Sequence, residues 1–461
     1  MTLYPSDLAR WTRGSWRVPV GTVLPESLSG VSNNSSAVPV GGLYVAIRGA
    51  RLDGHAFVAD AAAHGAAAAL VARDWEGAAS ARIPLLEVDD PVLALSDAAA
   101  GWRRAVDPFV VGVTGSAGKT TVKELAASML GGAAPTARTF GNFNNAVGLP
   151  LSLLAMPEDS RFGVFEIGTS HPGELAPLAR ILAPDAAIVS SVGPVHIENY
   201  PNLDAIADEK ATLPRGVPPE GFAVLEAGAP YTARIASQCA CRIVLVGLEC
   251  PGTDFNGVEM DGIEGSVRVI ERGGEPAGHR LHHGLPGRHQ ALNCLMACAA
   301  ARRAGASWEA IQLGLKSLAL PGMRWERSCV QGIHVVNDAY NANPISMACA
   351  IDAFATETAP SGRRWLALGD MLELGDTAES AHRALGAKIA EAPWAGLVAV
   401  GPLSAWTADE ARIRGFRGAI LSVPTAAEAG PILRSRLAPG DALLLKASRG
   451  IGLEIILDAL R

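Results

Sequence analysis

The segment 112–121, GVTGSAGKTT, carries the clearest chemistry in the chain. It follows the apolar run 109–111 and precedes a helix-compatible stretch from Val122 to Met129. A glycine-rich turn between a strand and a helix directs backbone N–H groups and the positive end of the helix dipole toward an anion. Lys119 can reach the outer phosphates of a nucleotide, and the Thr120 hydroxyl can bind Mg²⁺. We therefore predict a nucleoside triphosphate site, although Val113 stands where the strict P-loop pattern has glycine.

Two further side chains come at or after the ends of predicted strands. Glu166 lies in the strand FGVFEIG, and His196 follows the strand AAIVSSV. The carboxyl ends of strands form the ligand crevice of an open parallel sheet, and a carboxylate there suits Mg²⁺. The alternative for Glu166 is a helix-capping or solvated acid. For His196 the choice lies between a second metal ligand and the structural role that a lone histidine more often has.

Two loops are rich in asparagine, whose amide groups suit the recognition of amides or sugars. The residues concerned are Asn142, Asn144 and Asn145 in GNFNNAVGLP, and Asn341 and Asn343 in NDAYNANP. The alternatives are Asx-turn chemistry in the first loop and, for Asn343, capping of the helix that starts at Pro344.

Three charged residues are interpreted from their positions in the predicted elements. Asp338, at a predicted strand end, can bind a ribose hydroxyl. Arg324 in PGMRWE can hold a phosphate from a neighbouring domain, or its stem can cover Trp325. Lys210, on a charged helix, is by position alone an ordinary solvated lysine or salt-bridge partner.

The elements around these residues predict an α/β protein. Strand and helix alternate from position 109, which indicates a parallel sheet with helices on both faces. Alternation returns in the last third, so a second open α/β domain is expected there, and residues 1–107 form a smaller α/β unit. With 461 residues, the chain has room for about three domains.

Composition excludes several classes of protein. A net charge of −7 with interspersed acids and bases argues against a nucleic-acid-binding face. No apolar stretch approaches the ~20 residues that span a bilayer, and the first residues lack a signal-peptide pattern, so we expect no membrane insertion and a cytoplasmic location. The seven cysteines show no C-x-x-C pairing, and Cys294 and Cys298 lie one turn apart in an apolar helix, which predicts reduced core thiols.

The motifs together resemble the Mur ligase family. In chain order they are TGSAGKTT, GNFNNAVGLP, EIG…PGE, GPVHIENY, DEKATL, GRHQALN, PGMR, NDAYNANPISM, LGDMLELG and KASRG. The resemblance covers nearly the whole chain. YNANP and LGDMLELG are most like the member that adds D-alanyl-D-alanine to UDP-N-acetylmuramoyl-tripeptide, and the DNPR-type motif of the member that adds a single diamino acid is absent from the sequence.

The resemblance implies three domains with defined tasks. Residues 1–108 would be a small α/β domain that binds the UDP-sugar substrate. Residues 109–321 would be the central P-loop, parallel-sheet ATPase domain, and residues 322–461 a Rossmann-like α/β domain that closes over nucleotide and dipeptide. The implied cofactors are ATP and two Mg²⁺ ions, and the implied partners are the UDP-linked tripeptide and D-alanyl-D-alanine. We expect a monomer.

The resemblance also implies roles for single residues. Around the phosphates it names Thr114, Gly115, Ser116, Ala117, Gly118, Lys119 and Thr120. Thr120, Glu166 and His196 would bind Mg²⁺, and a carbamylated Lys210 would hold the second ion. Asn293 would lie at the adenine, Arg324 at the γ-phosphate and Asp338 at the ribose. Lys119, Lys210 and His196 would be the catalytic residues, and Ser35 and the five loop asparagines would contact substrate.

Two departures from the family pattern stand out. The first-domain signature D-S-R is replaced by Asn34, Ser35 and Ser36, which removes both charges. In the adenine-side motif, Gln290 follows His289 where asparagine is usual. Two alternatives therefore remain beside the D-alanyl-D-alanine ligase: a ligase of the same fold with another amino-acid or folate-type acceptor, and a nucleotide-binding homologue with altered catalysis.

Overall fold

Three β-sheets, each flanked by helices, organise the computed structural model, which describes residues 2–260 and 265–461. The sheets lie within residues 15–88, 109–282 and 326–446. Most neighbouring strands in them are parallel. The predicted α/β class with a small first domain, a central P-loop domain and a last Rossmann-like domain is confirmed.

The first sheet has the strand order β1-β5-β4-β3-β2, in which β1 alone runs antiparallel to its neighbour. The strands are β1 (Ser15–Arg17), β2 (Val31–Ser32), β3 (Leu43–Val45), β4 (Ala68–Ala72) and β5 (Leu85–Val88). The helices are α1 (Pro5–Thr12), α2 (Val58–Ala63) and α3 (Pro91–Val106). The central strand β4 is buried along its whole length because elements cover both faces of the sheet.

The central sheet contains nine described strands in the order β14-β13-β12-β11-β10-β9-β6-β8-β7. They are β6 (Phe109–Thr114), β7 (Thr136–Arg138), β8 (Phe162–Glu166), β9 (Ala186–Val189), β10 (Phe222–Glu226), β11 (Arg242–Leu248), β12 (Phe255–Glu259), β13 (Ser266–Glu271) and β14 (His279–His282). The helices are α4 (Lys119–Gly131), α5 (Gly148–Leu154), α6 (Leu175–Leu182), α7 (Leu203–Arg215), α8 (Thr232–Ala236), α9 (Arg288–Arg303) and α10 (Trp308–Leu315).

One edge of this sheet differs from the predicted parallel arrangement. Strand β13 runs antiparallel to both β12 and β14. Only a short turn containing Gly273, at φ +77°, joins β13 to β14. A parallel pair needs a crossover of a dozen or more residues. Because the connection between β13 and β14 is shorter than that, the two strands form a hairpin.

The position of β6 sets the location of the site. It lies between β8 and β9 and is parallel to both, so their carboxyl ends meet at one edge. After β6 the chain forms β7 and β8 on one side of it, and it then crosses to β9 on the other side. A crevice opens at the carboxyl ends of the strands where the chain changes sides. The glycine-rich turn and Glu166 both lie at this edge.

The last sheet has the order β15-β16-β20-β17-β18-β19, and β15 is its antiparallel strand. Its strands are β15 (Glu326–Val330), β16 (Ile333–Asn337), β17 (Arg364–Gly369), β18 (Gly396–Val400), β19 (Ala419–Val423) and β20 (Ala442–Lys446). The helices are α11 (Pro344–Ala355), α12 (Ala378–Ile389), α13 (Ser404–Ile413), α14 (Ala426–Arg436) and α15 (Ile456–Leu460). Before α15 the chain forms a 3₁₀ turn, Leu453–Ile455, which follows Gly452 at φ +68°.

One apolar cluster spans the first and central domains, whereas the buried residues on the third sheet form clusters of their own. Leu95 and Trp102 of α3 belong to the same buried cluster as Leu149 and Phe165 of the central domain. The Trp102 indole N–H also donates to the Met156 carbonyl oxygen at 3.0 Å. The two faces of the third sheet carry separate clusters. The first and central domains are therefore joined by an extensive apolar contact.

Two smaller predictions can be compared with the described residues. Cys294 and Cys298 are fully buried in α9 as free thiols, as expected. No helix in the described part of the chain is both long and apolar enough to cross a membrane.

Candidate functional site

A cavity of about 1020 Å³ lies where the three domains meet. Ser96 of the first domain lines it, as do Lys119 and Glu166 of the central domain and Asp338 and Lys446 of the last. Residues more than 300 positions apart in the chain therefore face one volume. A cavity of this size lies at the upper end of the range for small-molecule and cofactor sites.

The glycine-rich turn is fixed against the loop that follows β9. Gly115 has φ +148°, and a Cβ there would lie 2.1 Å from the Ser190 hydroxyl oxygen. The backbone N–H groups of Ser116 and Ala117 donate to the Ser191 carbonyl and hydroxyl oxygens, both at 2.8 Å. These two amides are therefore engaged within the protein. The N–H groups available to an anion are those of the first turn of α4, which have no acceptor within the helix.

Gly118 is the N-cap residue of α4 and has φ +81°. A Cβ at this position would lie 2.8 Å from the Asn293 amide oxygen, so only glycine allows α9 to come this close to the turn. Asn293 is buried, and its amide nitrogen donates to the Gln290 side-chain oxygen at 2.9 Å. The structure thus brings Asn293 to the phosphate turn and the substituted Gln290 into contact with it.

Lys119 extends from the start of α4 back over the turn. Its ammonium donates to the Gly115 carbonyl oxygen at 2.8 Å. Burial lowers the pKa of Lys119, the Glu166 carboxylate opposes this effect, and the Arg324 guanidinium adds to it. A phosphate group would supply the negative charge that this cationic pair lacks.

Thr120 and Glu166 form the polar centre of the crevice. The Thr120 hydroxyl donates to Glu166 Oε2 at 2.7 Å, and the Asn144 amide donates to Oε1 at 2.8 Å. The backbone N–H of Glu166 donates to the Thr139 hydroxyl at 2.9 Å, which fixes the end of β8. Both oxygens of the buried Glu166 carboxylate therefore accept hydrogen bonds, one from Thr120 and one from Asn144, which lie 46 and 22 residues away in the sequence.

His196 lies at the rim of the cavity, in a left-handed backbone conformation with φ +55°. Its Nδ1 is 2.5 Å from Glu373 Oε2, which belongs to the last domain. Burial lowers the pKa of His196, Glu373 opposes the shift, and the positive charges of Lys119 and Lys210 add to it. At neutral pH the ring is accordingly uncharged, which leaves one ring nitrogen able to accept or to bind a cation.

Lys210 is buried in α7 and does not line the cavity. Its ammonium makes no hydrogen bond with any residue that the structure describes. Burial and the charge of Lys119 lower the pKa of Lys210 to about 7. A large fraction of this side chain is therefore a neutral amine at physiological pH. Its position corrects the expectation, from helix charge alone, of a solvated lysine.

Arg324 lies in the connection between the central and last domains. Its guanidinium carbon is 4.0 Å from the centre of the Tyr340 ring, within the range of a cation–π contact. Its neighbours Met323 and Trp325 have φ +59° and +53°. Such conformations are costly for residues other than glycine, so the surrounding contacts hold Arg324 in the cavity against local strain.

Asp338 forms an ion pair with Lys446, a residue that sequence reasoning did not single out. Lys446 Nζ lies 2.6 Å from Asp338 Oδ2, and the same ammonium donates to the Asn341 carbonyl oxygen at 3.2 Å. The other carboxylate oxygen accepts the Trp325 backbone N–H at 3.1 Å. Lys446 belongs to the motif KASRG, and membership of that motif was the one feature of the sequence that could have identified it as a site residue. Glu373 was missed in the same way, within LGDMLELG.

The loop asparagines divide into two groups. Asn142, Asn144 and Asn341 line the cavity with side chains that do not cap a helix. Asn145 Oδ1 accepts the N–H groups of Val147 and Gly148 at the start of α5. Asn343 is the N-cap of α11, where it forms a capping box with Ser346. The structure thus shows Asn343 in the helix-capping role that was the alternative to substrate binding. A contact between Asn343 and substrate stays a prediction.

Two groups of predicted residues do not face the cavity. Ser35 lies in a short 3₁₀ turn of the first domain, where the Asn34 side chain accepts the Ser36 N–H at 3.1 Å. Thr114 and Gly115 lie behind the phosphate turn; Thr114 is fully buried and its hydroxyl has no hydrogen-bond partner. The structure does not bring the Ser35 and Thr114 side chains together with Lys119, whereas the Gly115 backbone carbonyl contacts the Lys119 ammonium directly.

Family models match all three domains. The Mur ligase family catalytic domain matches residues 27–103, and the Mur ligase middle domain matches residues 113–301. The Mur ligase glutamate ligase domain matches residues 323–449. The chain belongs to the Mur ligase family. Its phosphate turn, Glu166 and His196 all fall within the middle-domain match, and Asp338, Glu373 and Lys446 fall within the last one.

Individual Mur ligases extend the match over the full length. A UDP-N-acetylmuramoyl-tripeptide--D-alanyl-D-alanine ligase of Bacillus subtilis is 32% identical over 435 residues, which are 94% of this chain and 93% of that protein. The crystal structure of MurF from Acinetobacter baumannii has a TM-score of 0.87 at 28% identity and covers 100% of this chain and 99% of its own. MurF ligase from Thermotoga maritima, solved in complex with ADP, has a TM-score of 0.79 at 26% identity, covering 94% and 96%. ATP binding by this Mur ligase follows from the family and from the phosphate turn.

Proposed function

We propose that this Mur ligase joins D-alanyl-D-alanine to UDP-N-acetylmuramoyl-tripeptide at the expense of ATP. Relatives that carry the name of this activity match the chain over most of their length. The observation that carries the proposal is the single cavity at which the phosphate turn, Glu166 and residues of all three domains meet. Three substrates must react in one place, and such a cavity is where the three can be held together.

The nucleotide would lie between the central and last domains. Its phosphates would accept the N–H groups of the first turn of α4 and the ammonium of Lys119, with Gly115, Ser116, Ala117 and Gly118 shaping the turn behind them. Arg324 would contact the γ-phosphate, Asn293 the adenine side and Asp338 the ribose. Lys446 supports the last assignment, because it holds the Asp338 carboxylate at the cavity wall.

The residues present fit Mg²⁺. Thr120 and Glu166 offer a hydroxyl and a carboxylate whose oxygens are already 2.7 Å apart, and His196 lines the same cavity. Among the described residues, no group of three or more His, Cys, Asp and Glu side chains is placed to hold a metal ion by itself. Such a sparse set suits an ion that keeps several waters and takes its other ligands from phosphates. When bound, Mg²⁺ would neutralise charge on the transferring phosphoryl group.

Lys210 would act as a carbamate. A neutral amine attacks CO₂, a C–N bond forms, one proton leaves the nitrogen, and the side chain ends as an anion. The pKa of about 7 and the lack of a hydrogen-bonding partner favour this reaction at the buried amine. The anion would then face the nearby charge of Lys119 and contribute to a second Mg²⁺ site.

The chemistry uses phosphoryl transfer to activate a poor electrophile. A terminal carboxylate oxygen of the tripeptide attacks the γ-phosphorus of ATP, an O–P bond forms, and ADP leaves. The dipeptide amine attacks the resulting acyl phosphate at carbon, loses a proton, and expels inorganic phosphate. Lys119 and the helix N-terminus stabilise the transferring group, while alignment in the cavity can contribute ~7–11 kcal/mol and exclude water.

The UDP-linked substrate would extend toward the first domain. Asn142, Asn144 and Asn145 form the loop between that domain and the phosphates, and Asn341 and Asn343 approach from the last domain. Ser35 would contact the nucleotide end of this substrate, away from the cavity. ATP use supports a cytoplasmic enzyme, and we propose that it acts as a monomer, which a mass measurement in solution tests.

The test is release of phosphate by purified protein supplied with ATP, Mg²⁺ and UDP-N-acetylmuramoyl-tripeptide. We expect release with D-alanyl-D-alanine and much less with D-alanine, L-lysine or glutamate. Hydroxylamine added without dipeptide should trap the acyl phosphate as a hydroxamate. Equal rates with a single amino acid would favour the ligase with another acceptor. ATP binding without any hydroxamate would favour the homologue with altered catalysis.

A further inference from the structure

The contact between His196 and Glu373 joins two domains at the edge of the cavity. His196 Nδ1 is 2.5 Å from Glu373 Oε2, although the residues are far apart in sequence. The His196 side chain is 21% exposed and that of Glu373 is 52% exposed. Both have left-handed backbones, with φ +55° and +62°. Both residues therefore have a backbone conformation that is uncommon outside glycine, although histidine adopts it more often than most residues do.

Residues next to His196 and Glu373 in the sequence also hold the two segments together. Ile197 packs against the apolar core of the last domain. A Cβ at Gly375 would lie 3.0 Å from the Glu198 Cβ atom, so the two backbones come close enough that a side chain there would crowd Glu198. The turn Ile197–Asn199 and the loop before Gly375 therefore dock directly. The position of Glu373 does not depend on its contact with His196 alone.

The loop that carries Glu373 is also fixed on its other side. The Met371 N–H donates to His382 Nε2 at 3.1 Å, and the Leu372 N–H donates to the Ser448 hydroxyl at 3.0 Å. Met371 and Leu374 are buried in the core of the last domain. A carboxylate presented from such a loop can orient the group that it contacts.

We propose that Glu373 is a positioning residue for His196: its carboxylate oxygen, 2.5 Å from Nδ1, favours the tautomer that carries the proton there and leaves Nε2 as the ring nitrogen available to a cation in the cavity. This inference rests on the proposed function, which gives His196 a metal to bind. Histidine ligands of metals commonly donate their other N–H to a carboxylate, and loss of that partner costs 10–100-fold in metal affinity. Because Glu373 belongs to the last domain, the ligand is oriented only while that domain is docked.

The tautomer can be tested without metal. In protein labelled with ¹⁵N-histidine, the His196 signals, assigned by their loss in His196→Gln, should report a protonated Nδ1. In Glu373→Ala they should shift toward a mixture of the two tautomers. In Glu373→Gln the amide oxygen can still accept the Nδ1 proton, so the original tautomer should persist. Unchanged signals in Glu373→Ala would overturn the proposal.

Metal affinity provides the second measurement. Mn²⁺ binding in the presence of a non-hydrolysable ATP analogue should weaken about 10–100-fold in Glu373→Ala and much less in Glu373→Gln. Glu391→Ala, at an exposed position outside the cavity, is the matched control and should bind as the parent does. A merely structural role would lower the melting temperature of Glu373→Ala without changing Mn²⁺ affinity, and that result would also overturn the proposal.

His196→Ala separates this inference from the proposed function. If His196→Ala leaves Mn²⁺ affinity unchanged, His196 is not a ligand, and both the metal role and the positioning role fail. If His196→Ala weakens binding while Glu373→Ala does not, the metal role stands and only the role of Glu373 fails.

Discussion

The hydroxyl of Thr120 donates to Oε2 of Glu166 across the end of the central sheet, at 2.7 Å. Thr120 belongs to the first turn of α4, and Glu166 ends a strand that pairs with the one leading into that helix. A phosphate-binding turn and a carboxylate are thereby linked before any ligand arrives. Two oxygens at this spacing can bind one small cation together.

Replacement of Glu166 by Gln should raise the Mg²⁺ concentration needed for half-maximal phosphate release by about 10–100-fold, because a neutral amide is a weaker ligand. Thr120→Val should act in the same direction, since it removes the hydroxyl without changing the shape of the side chain. Thr120→Ser retains the hydroxyl and is the control. An unchanged Mg²⁺ requirement in Glu166→Gln would contradict the metal role.

Lys119→Met should lower kcat about 10²–10³-fold, the usual cost of losing one donor to developing charge. The substitution preserves the length of the side chain and removes a partly desolvated cation, so the melting temperature should not fall. Rates of hydroxamate formation measure the phosphoryl step directly. Lys316→Met changes an exposed lysine of the same domain outside the cavity and should leave the rate unaltered.

The activity should depend on bicarbonate through Lys210. Its pKa of about 7 means that the neutral amine predominates above neutrality and is depleted below it. Enzyme freed of CO₂ at pH 6 should lose activity, and added bicarbonate should restore it faster at pH 8 than at pH 6. With ¹³C-bicarbonate, a carbamate carbon signal should be seen in the parent and be absent from Lys210→Arg. Full activity of that variant would exclude the carbamate.

Asp338→Asn should raise the KM for ATP about 10-fold, equivalent to ~1.4 kcal/mol of binding. The reason is that the carboxylate is the proposed acceptor of a ribose hydroxyl. The parent should also discriminate against 2′-deoxy- or 3′-deoxy-ATP, and this discrimination should shrink in Asp338→Asn. Asp409→Asn, on the outer helix α13, is the comparison variant. Undiminished discrimination in Asp338→Asn would remove Asp338 from the ribose site.

Acid stability should depend on His283, which lies outside the cavity. Its Nδ1 accepts the Leu285 N–H at 3.3 Å, and burial lowers the pKa of His283 to about 4. The unfolded chain protonates this ring near pH 6.5, so unfolding becomes easier as pH falls from 6.5 to 4. The loss should be about 3 kcal/mol. In His283→Asn, Oδ1 can replace Nδ1 as acceptor, so urea unfolding at pH 7 and pH 4.5 should differ less than in the parent.

The parts of the site that are local in sequence could be predicted from it. The strand, turn and helix around Gly118 occur within about twenty residues, and each carries its own signal in glycine content and apolar pattern. The start of helix α11 was predicted, because Pro344 and the preceding Asn343 mark it. Both cases rest on short-range backbone chemistry.

The partners of these residues could not be predicted from spacing. Lys446 pairs with Asp338 across 108 positions, and Glu373 contacts His196 from another domain. Such pairs depend on strand order and on how the domains dock, which periodicity does not encode. The burial of Lys210 is similar, since its own helix is highly charged and only packing against neighbouring elements removes the side chain from water.

The apolar core shared by the first two domains determines which part of the molecule is able to swing. Trp102 and Phe165 lie in one continuous apolar cluster. Separating the first and central domains would therefore expose a large apolar surface to water, which is unfavourable. The last domain is joined to the central domain by the strained link around Arg324 and by separate contacts at His196, Gly193 and Gly287. We therefore expect the enzyme to open by motion of the last domain relative to the first and central domains, which move together. In the proposed mechanism, the UDP-linked substrate would remain bound to the first and central domains while ADP leaves.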